Sequence, residues 1–311
     1  MKRRAQPPVE WITLGLLLAT YALWAMGTTW IAAWSPLAGV LVTGLAIAQF
    51  SSLQHEALHG HPFRQRWLNE AAVFPALCLT VPYGRFRDTH LAHHHDPVLT
   101  DPYDDPESNY LDPAVWGRLA APLRRLLMWN NTLLGRVLLG PLIGTFFWLR
   151  TEARLIAQGD RAVMRDWGLN LLGLVPVVWW LWLAPMSGWA YLAAAYLGHA
   201  ILKIRTFLEH RAHELPRART VIVEDRGPLA LLFLNNNLHV VHHAHPQVPW
   251  YDLPALYRAQ QAEFRRRNED YVYRSYAEVA ARHLIRAKDP VPHPIWPDAK
   301  APVAEDLVSR A

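Results

Sequence analysis

The chain has 311 residues, of which 52% are hydrophobic and 18% charged, with 15 Trp, a single Cys and a net charge of +5. Charge is thinner than the roughly 25% of an ordinary soluble domain, and one cysteine, Cys78, excludes an internal disulfide and any cysteine-built zinc or iron–sulfur site. The pI near 9.4 raises nucleic acid as a partner, but no recognition motif accompanies the charge and the basic residues flank apolar runs, so no nucleic-acid partner is expected.

Two stretches carry no Asp, Glu, Lys or Arg at all: between Glu10 and Glu56, and between Asp166 and Lys203. Each is long enough for two spans of about 20 residues joined by a tight turn. The pattern predicts transmembrane segments at about 11–34, 36–53, 167–185 and 187–204. The first apolar run is too long for the 7–15-residue core of a typical signal peptide, and it reads as a retained span. Lys2, Arg3, Arg4, Arg64, Arg66, Arg161, Arg165, Lys203 and Arg205 all fall on one side of these spans. The positive-inside rule then puts both termini and the 54–166 loop in the cytoplasm, and a bacterial inner-membrane protein is expected. Within that loop, 71–81 and 133–149 are apolar but broken by Pro and Gly, and read as interfacial or re-entrant helices. Residues 253–287 read as one or two amphipathic helices, and 289–311 as a flexible Pro-rich tail. The expected fold is all-α and integral to the membrane: one domain, two helical hairpins, and a cytoplasmic helical cap formed by 54–166 and 205–288.

Sixteen histidines are unevenly placed. His55 and His59 frame HEALH, His90, His93 and His94 lie in HLAHHH, His210 follows Glu209, and His239, His242 and His243 lie in HVVHH. Residues three and four apart share a helical face, so each box can aim its imidazoles at one point. Imidazole suits zinc, copper, iron and nickel alike, but nine candidate ligands exceed the four of one tetrahedral zinc. Two ions of higher coordination number fit the count, and ligand exchange with oxygen points to iron. HEALH also spells the zinc-peptidase helix, with Glu56 as base. A zinc hydrolase built on it leaves most of the histidines unused, and a non-catalytic metal-binding or metal-transporting membrane protein is a third reading. His61, His95, His213 and His245 fall off the shared faces, His199 lies within the fourth span, and His283 and His293 read as surface residues. Asp101, Asp104, Asp105 and Glu107 are candidates to orient imidazoles, although a solvated acidic loop accounts for most of them.

HEALHGH, HLAHHH and NNNLHVVHHAHPQVPWYDLP together resemble the three histidine boxes of the membrane fatty acid desaturase superfamily, which includes acyl-lipid desaturases, alkane hydroxylases and carotenoid ketolases. The resemblance covers residues 11–260, and TFLEHRAHE matches the family's isolated extra histidine at His210. It implies a four-helix membrane stem under a cap that encloses a non-haem di-iron centre, with dioxygen as oxidant, a lipid or fatty acyl substrate and an external electron donor. Thr206 stands where the family often has Asn. No haem-binding HPGG motif is present, so electrons are expected from a separate ferredoxin-like protein, with Arg118, Arg124, Arg125 and Arg265 to Arg267 as docking candidates. Fatty acid desaturation is the favoured reaction, with hydroxylation or ketone formation as the alternative.

Overall fold

The computed structural model describes residues 8–296; Lys2, Arg3, Arg4 and the segment 297–311 lie outside the described residues. The chain is mostly helical. Long helices α1 (Trp11–Trp34) and α2 (Pro36–Leu58) come first, followed by the short α3 (Arg66–Ala72) and α4 (Tyr83–His93), then α5 (Pro113–Arg118) and α6 (Ala121–Asn130). Three more long helices, α7 (Leu133–Ala157), α8 (Arg161–Leu183) and α9 (Gly188–Thr206), precede α10 (Pro228–Leu232), α11 (His239–Ala244), α12 (Leu253–Ala259), α13 (Gln261–Arg267) and α14 (Tyr276–His283). Strands β1 (Ile222–Val223) and β2 (Val272–Tyr273) form a small parallel pair, with Ile222 opposite Val272, that an all-helical expectation did not foresee.

Four of the five long helices, α2, α7, α8 and α9, start where a side chain satisfies free amides. The Ser35 hydroxyl accepts from Ala38 N ahead of Pro36, Thr132 accepts from Gly135 N, Asp160 from Ala162 and Val163 N, and Ser187 from Ala190 N. α1 contains a π-helical stretch at Gly27–Ile31.

Among the described residues, four helices are long and apolar enough to cross a membrane: α1, α2, α7 and α8. This differs from the expected set in two places. The 133–149 stretch is not broken by its Gly and Pro residues, since α7 runs through Pro141 as one helix. The fourth expected span, 187–204, is the helix α9, but Lys203 and Arg205 occupy its last turn. The third begins earlier than expected, at Arg161, because Asp160 caps it. Residues 75–81 form turns rather than a helix, and 253–283 make three short helices with β2 between them. Trp30, Trp179, Trp182, Leu142, Phe146 and Leu171 stay exposed along the long helices, a surface that suits lipid and not water.

α9 packs along α2 on one side and against α7 on the other. Small residues make the first contact possible: a Cβ on Gly198 would lie 2.7 Å from Ile47 Cγ2, and one on Gly44 would lie 2.8 Å from Leu197 Cδ2. The turn after α8 meets α1, with Met186 N donating to Thr28 O at 3.3 Å and Trp180 Nε1 to Thr28 Oγ1 at 2.9 Å. At the other end of the molecule, α7 touches the histidine-bearing segments near both of its ends. Arg136 reaches Asn109 and Asn131. Glu152, 1% exposed, takes both Arg85 nitrogens at 2.9 Å and Trp167 Nε1 at 2.9 Å. That bidentate pair fixes α4 to α7. The stretch from Asp289, expected to fray, is held as far as Trp296: Tyr110 Oη donates to Asp289, and Leu111 exchanges backbone bonds with Val291 and His293.

Candidate metal centre

The end of α2 carries His55, with His59 as its C-cap; α4 supplies His90 and His93, with His94 as its C-cap; α11 supplies His239, His242 and His243. His210 lies beyond α9 on a strand-like segment, where it bridges to Thr220. These nine side chains gather into two adjoining groups, His55, His59, His90, His94 and His242 in one and His93, His210, His239 and His243 in the other. The i, i+4 pairs His55/His59, His90/His94 and His239/His243 each fall within one group, while His93 and His242 leave their own boxes to join the other group, so the second and third boxes each serve both groups instead of aiming at one point.

For six of the nine, the nitrogens that approach another imidazole are Nε2 atoms. His210 Nε2 lies 2.8 Å from His93 Nε2 and 3.1 Å from His239 Nε2; His94 Nε2 lies 3.0 Å from His90 Nε2 and 3.2 Å from His242 Nε2. Outward-facing partners decide where the ring protons sit. His90 Nδ1 donates to Glu107 at 3.0 Å, His93 Nδ1 to Asp105 at 2.7 Å and His239 Nδ1 to Asn236 Oδ1 at 3.0 Å. The Asn236 amide is oriented by its own donation to Glu209, which Arg205 holds at 2.9 Å. With Nδ1 protonated, the Nε2 atoms of His90, His93 and His239 present bare lone pairs to their neighbours. One proton on His210 Nε2 can serve only one of the two lone pairs facing it. His55 Nε2 and His59 Nε2 are buried with no protein partner. Imidazole nitrogens held at about 2.1 Å by one metal ion lie about 3 Å apart, so these spacings suit cations shared within each group.

Electrostatics agree. Burial first, and then neighbouring imidazoles, hold His94, His210, His239 and His242 well below the ordinary histidine pKa, so they stay neutral ligands at neutral pH. His93 behaves oppositely. Burial opposes its charge, yet Glu107 and Asp105 raise it to about 9, favouring a cation at Nε2, whether a proton or a metal ion.

Of the four acidic candidates, Asp105 and Glu107 reach imidazoles, while Asp101 accepts from the backbone of Tyr103 and Asp104. Glu56 has a structural partner. Its carboxylate, 4% exposed, accepts Trp250 N at 3.2 Å and so ties the segment after α11 to α2. Asn235 adds a bond to Trp250 O at 3.0 Å and Asn237 one to Val223 O at 2.6 Å. His61 is fully buried and bonds Glu10 at 2.8 Å. His95 and His245 are exposed, and His213 faces Glu269 at 3.3 Å. His199 Nε2 donates to Cys78 O at 3.0 Å. His293 is not a surface residue: it is 6% exposed and sits 3.3 Å from Thr100 Oγ1. His283, half-buried, pairs with Tyr273 Oη.

Apolar long helices beneath two clusters of inward-facing imidazoles define a membrane protein built to hold metal ions on histidine nitrogen. The model of the family described as fatty acid desaturase matches residues 28–275, and the chain belongs to that family and is an oxidoreductase. It is 27% identical over 280 residues to the sphingolipid delta(4)-desaturase/C4-monooxygenase of Homo sapiens, covering 81% of this chain and 74% of that protein. Lipid desaturase or oxidase activity follows at that level, and desaturases of this family generally use a di-iron site built from histidine clusters.

The depressed histidines make a pH prediction. Between their lowered folded values and the unfolded value near 6.5, the unfolded chain binds protons that the folded chain refuses, so stability falls as pH drops below about 6.5. His93 contributes in the opposite sense, fully below about 6.5 and less as pH rises through about 9. Four groups outweigh one. Thermal melts of chelator-treated protein in detergent should therefore show a lower midpoint at pH 5.5 than at 7.5, with a limit of about 1.4 kcal/mol per imidazole per pH unit; a flat profile would remove the burial of neutral imidazoles as the basis of the site.

Proposed function

We propose that the protein uses dioxygen to oxidise an unactivated C–H bond in a lipid or fatty acyl chain, with fatty acid desaturation as the reaction, and that two iron ions are held by His55, His59, His90, His94 and His242 on one side and His93, His210, His239 and His243 on the other. The observation that carries this is the inward-facing set of bare Nε2 atoms, in two groups, beside a cavity lined in part by Phe86, Phe147, Trp148 and Leu202. Iron in such a site supplies, with dioxygen and two electrons, the oxidising power to remove hydrogen from carbon. The chain's own residues do the rest. Asp105, Glu107 and Asn236 fix the imidazole tautomers, the Glu56–Trp250 bond keeps α11 against α2, and Cys78, Val81 and the aromatic wall keep water away from an apolar chain. Thr206 lines the same cavity. A zinc peptidase reading loses ground because it leaves most of the gathered histidines unused, while Glu56 has a structural partner in the Trp250 amide.

For topology, we read α1–α2 and α8–α9 as two membrane hairpins whose turns share one face, with α7 lying along the opposite, cytoplasmic surface, as its contacts near both ends suggest. Reporters placed at Gly117 and Gly159 should then read the same side and one at Ser187 the other; opposite sides for Gly117 and Gly159 would make α7 a true span. For the electron donor, a surface recess lined by Arg217, His245, Arg266 and Arg267 reaches His243, and its charge suits an acidic ferredoxin-like protein. Charge reversal by Arg266→Glu should slow donor-driven turnover several-fold, with reduction by dithionite unchanged; equal slowing of both would remove the recess as a docking site.

His94→Ala and His243→Ala should each abolish turnover and lower iron content in protein that still inserts, while His283→Ala stays near wild type. Full activity in His243→Ala would sink the ligand assignment. Product analysis under labelled dioxygen separates the reactions: loss of two hydrogens with no label means desaturation, and one labelled oxygen on carbon means hydroxylation.

A further inference from the structure

A cavity of about 700 Å³ lies between α7 and α9 and reaches the histidines at His210. Its charged groups fall into an uneven balance. Arg85 holds Glu152, Arg205 holds Glu209 and Lys288 holds Asp289, each at 2.9 Å. The two other carboxylates of the wall, Asp105 and Glu107, are committed to His93 and His90. Two wall cations are left over, Arg136 and Lys203.

Arg136 is 6% exposed, and its guanidinium donates only to neutral oxygens: Asn130 O at 3.0 Å, Asn131 Oδ1 at 2.9 Å and Asn109 Oδ1. No ion pair joins Lys203 to a carboxylate among the described residues. The two stems lie side by side over Gly140, where an added Cβ would come 3.1 Å from Arg136 Cδ and 3.3 Å from Lys203 Cγ. One turn on, the Lys203 ammonium rests 3.6 Å from where a Gly144 Cβ would be, so two glycines on α7 make room for the lysine to lie along the wall. Two neighbouring cations with no direct ion-pair partner, one of them buried, are costly unless an anion joins them. Such an anion would enter a cavity that also offers an apolar strip, formed by Val81, Phe147, Trp148 and Leu202, alongside polar lining residues such as Gln54, Thr89 and His199.

We propose that Arg136 and Lys203 form an anion subsite that takes the single acidic group, a carboxylate or a phosphate monoester, at the head of a linear-chain substrate whose chain follows the apolar wall toward the histidine cluster. The substrate class of the oxidation is thereby narrowed from lipids in general to lipids with an acidic head. This rests on the oxidation reading above, and the two are separable by experiment.

Equilibrium binding of radiolabelled palmitate, hexadecyl phosphate and hexadecanol is measured on the purified full-length protein in detergent, under nitrogen so that no turnover occurs. At least one acid should bind about tenfold or more tightly than the alcohol, roughly one charge-assisted contact's worth, and the better acid identifies the head group. Lys203→Met should collapse that ratio to within about twofold, and Lys203→Arg should keep it, as a charge interaction requires. The alcohol binding as tightly as both acids to the wild-type protein overturns the subsite whether or not Lys203→Met folds, and so does an unchanged ratio in folded Lys203→Met. In a companion turnover assay in air with a reductant, oxidation of hexadecanol without any acid preference in binding would leave lipid oxidation standing and the subsite refuted. Acid preference with no oxidation of any of the three would support the subsite and count against the oxidation.

Discussion

Nine imidazoles crowd into one volume at the end of α2, with Nε2 atoms about 3 Å from one another, and most of the fold exists to make that arrangement tolerable. Buried polar atoms that cannot satisfy one another are costly, and lone pairs facing lone pairs are the extreme case. The outer shell forces the issue. Glu107, Asp105 and Asn236 each claim an Nδ1 proton, which turns the inner nitrogens into acceptors with too few donors among them. A cation is the natural complement, and the desaturase family to which the chain belongs uses iron in that place.

The remainder of the architecture holds the boxes in register. Glu152 pins α4 to α7 through Arg85, Glu56 pins the segment after α11 to α2 through Trp250, and the Gly44 and Gly198 contact lets α9 approach α2 closely enough to deliver His210. These braces come from the long helices as well as from the segments that carry the histidines. The same closeness shapes the cavity beside His210, where glycine on α7 and lysine on α9 meet.

Much of this was legible in the sequence because helical spacing is a strong signal. The boxes bring their histidines close, but the second and third divide theirs between the two groups, and His210, weak as an isolated histidine, gained support from the family resemblance. Other features were illegible for definable reasons. Nothing in TDPYDDPES separates Asp105 from Asp101, since the distinction depends on which turn of the loop faces α4. Glu56 read as a potential base because HEALH carries no information about Trp250, far away in the chain. The apolar 133–149 stretch looked broken, yet Pro141 is accommodated within α7, and its Gly140 and Gly144 serve contact with Lys203. The segment from Asp289 looked like a loose tail because backbone pairing with Leu111 leaves no compositional trace.

The most direct test of two ions shared among nine histidines is anomalous X-ray diffraction from crystals of the iron-loaded protein, recorded above and below the iron absorption edge. Two iron peaks are predicted, one enclosed by His55, His59, His90, His94 and His242 and the other by His93, His210, His239 and His243. A single peak, or a signal at the zinc edge with none at the iron edge, would contradict it.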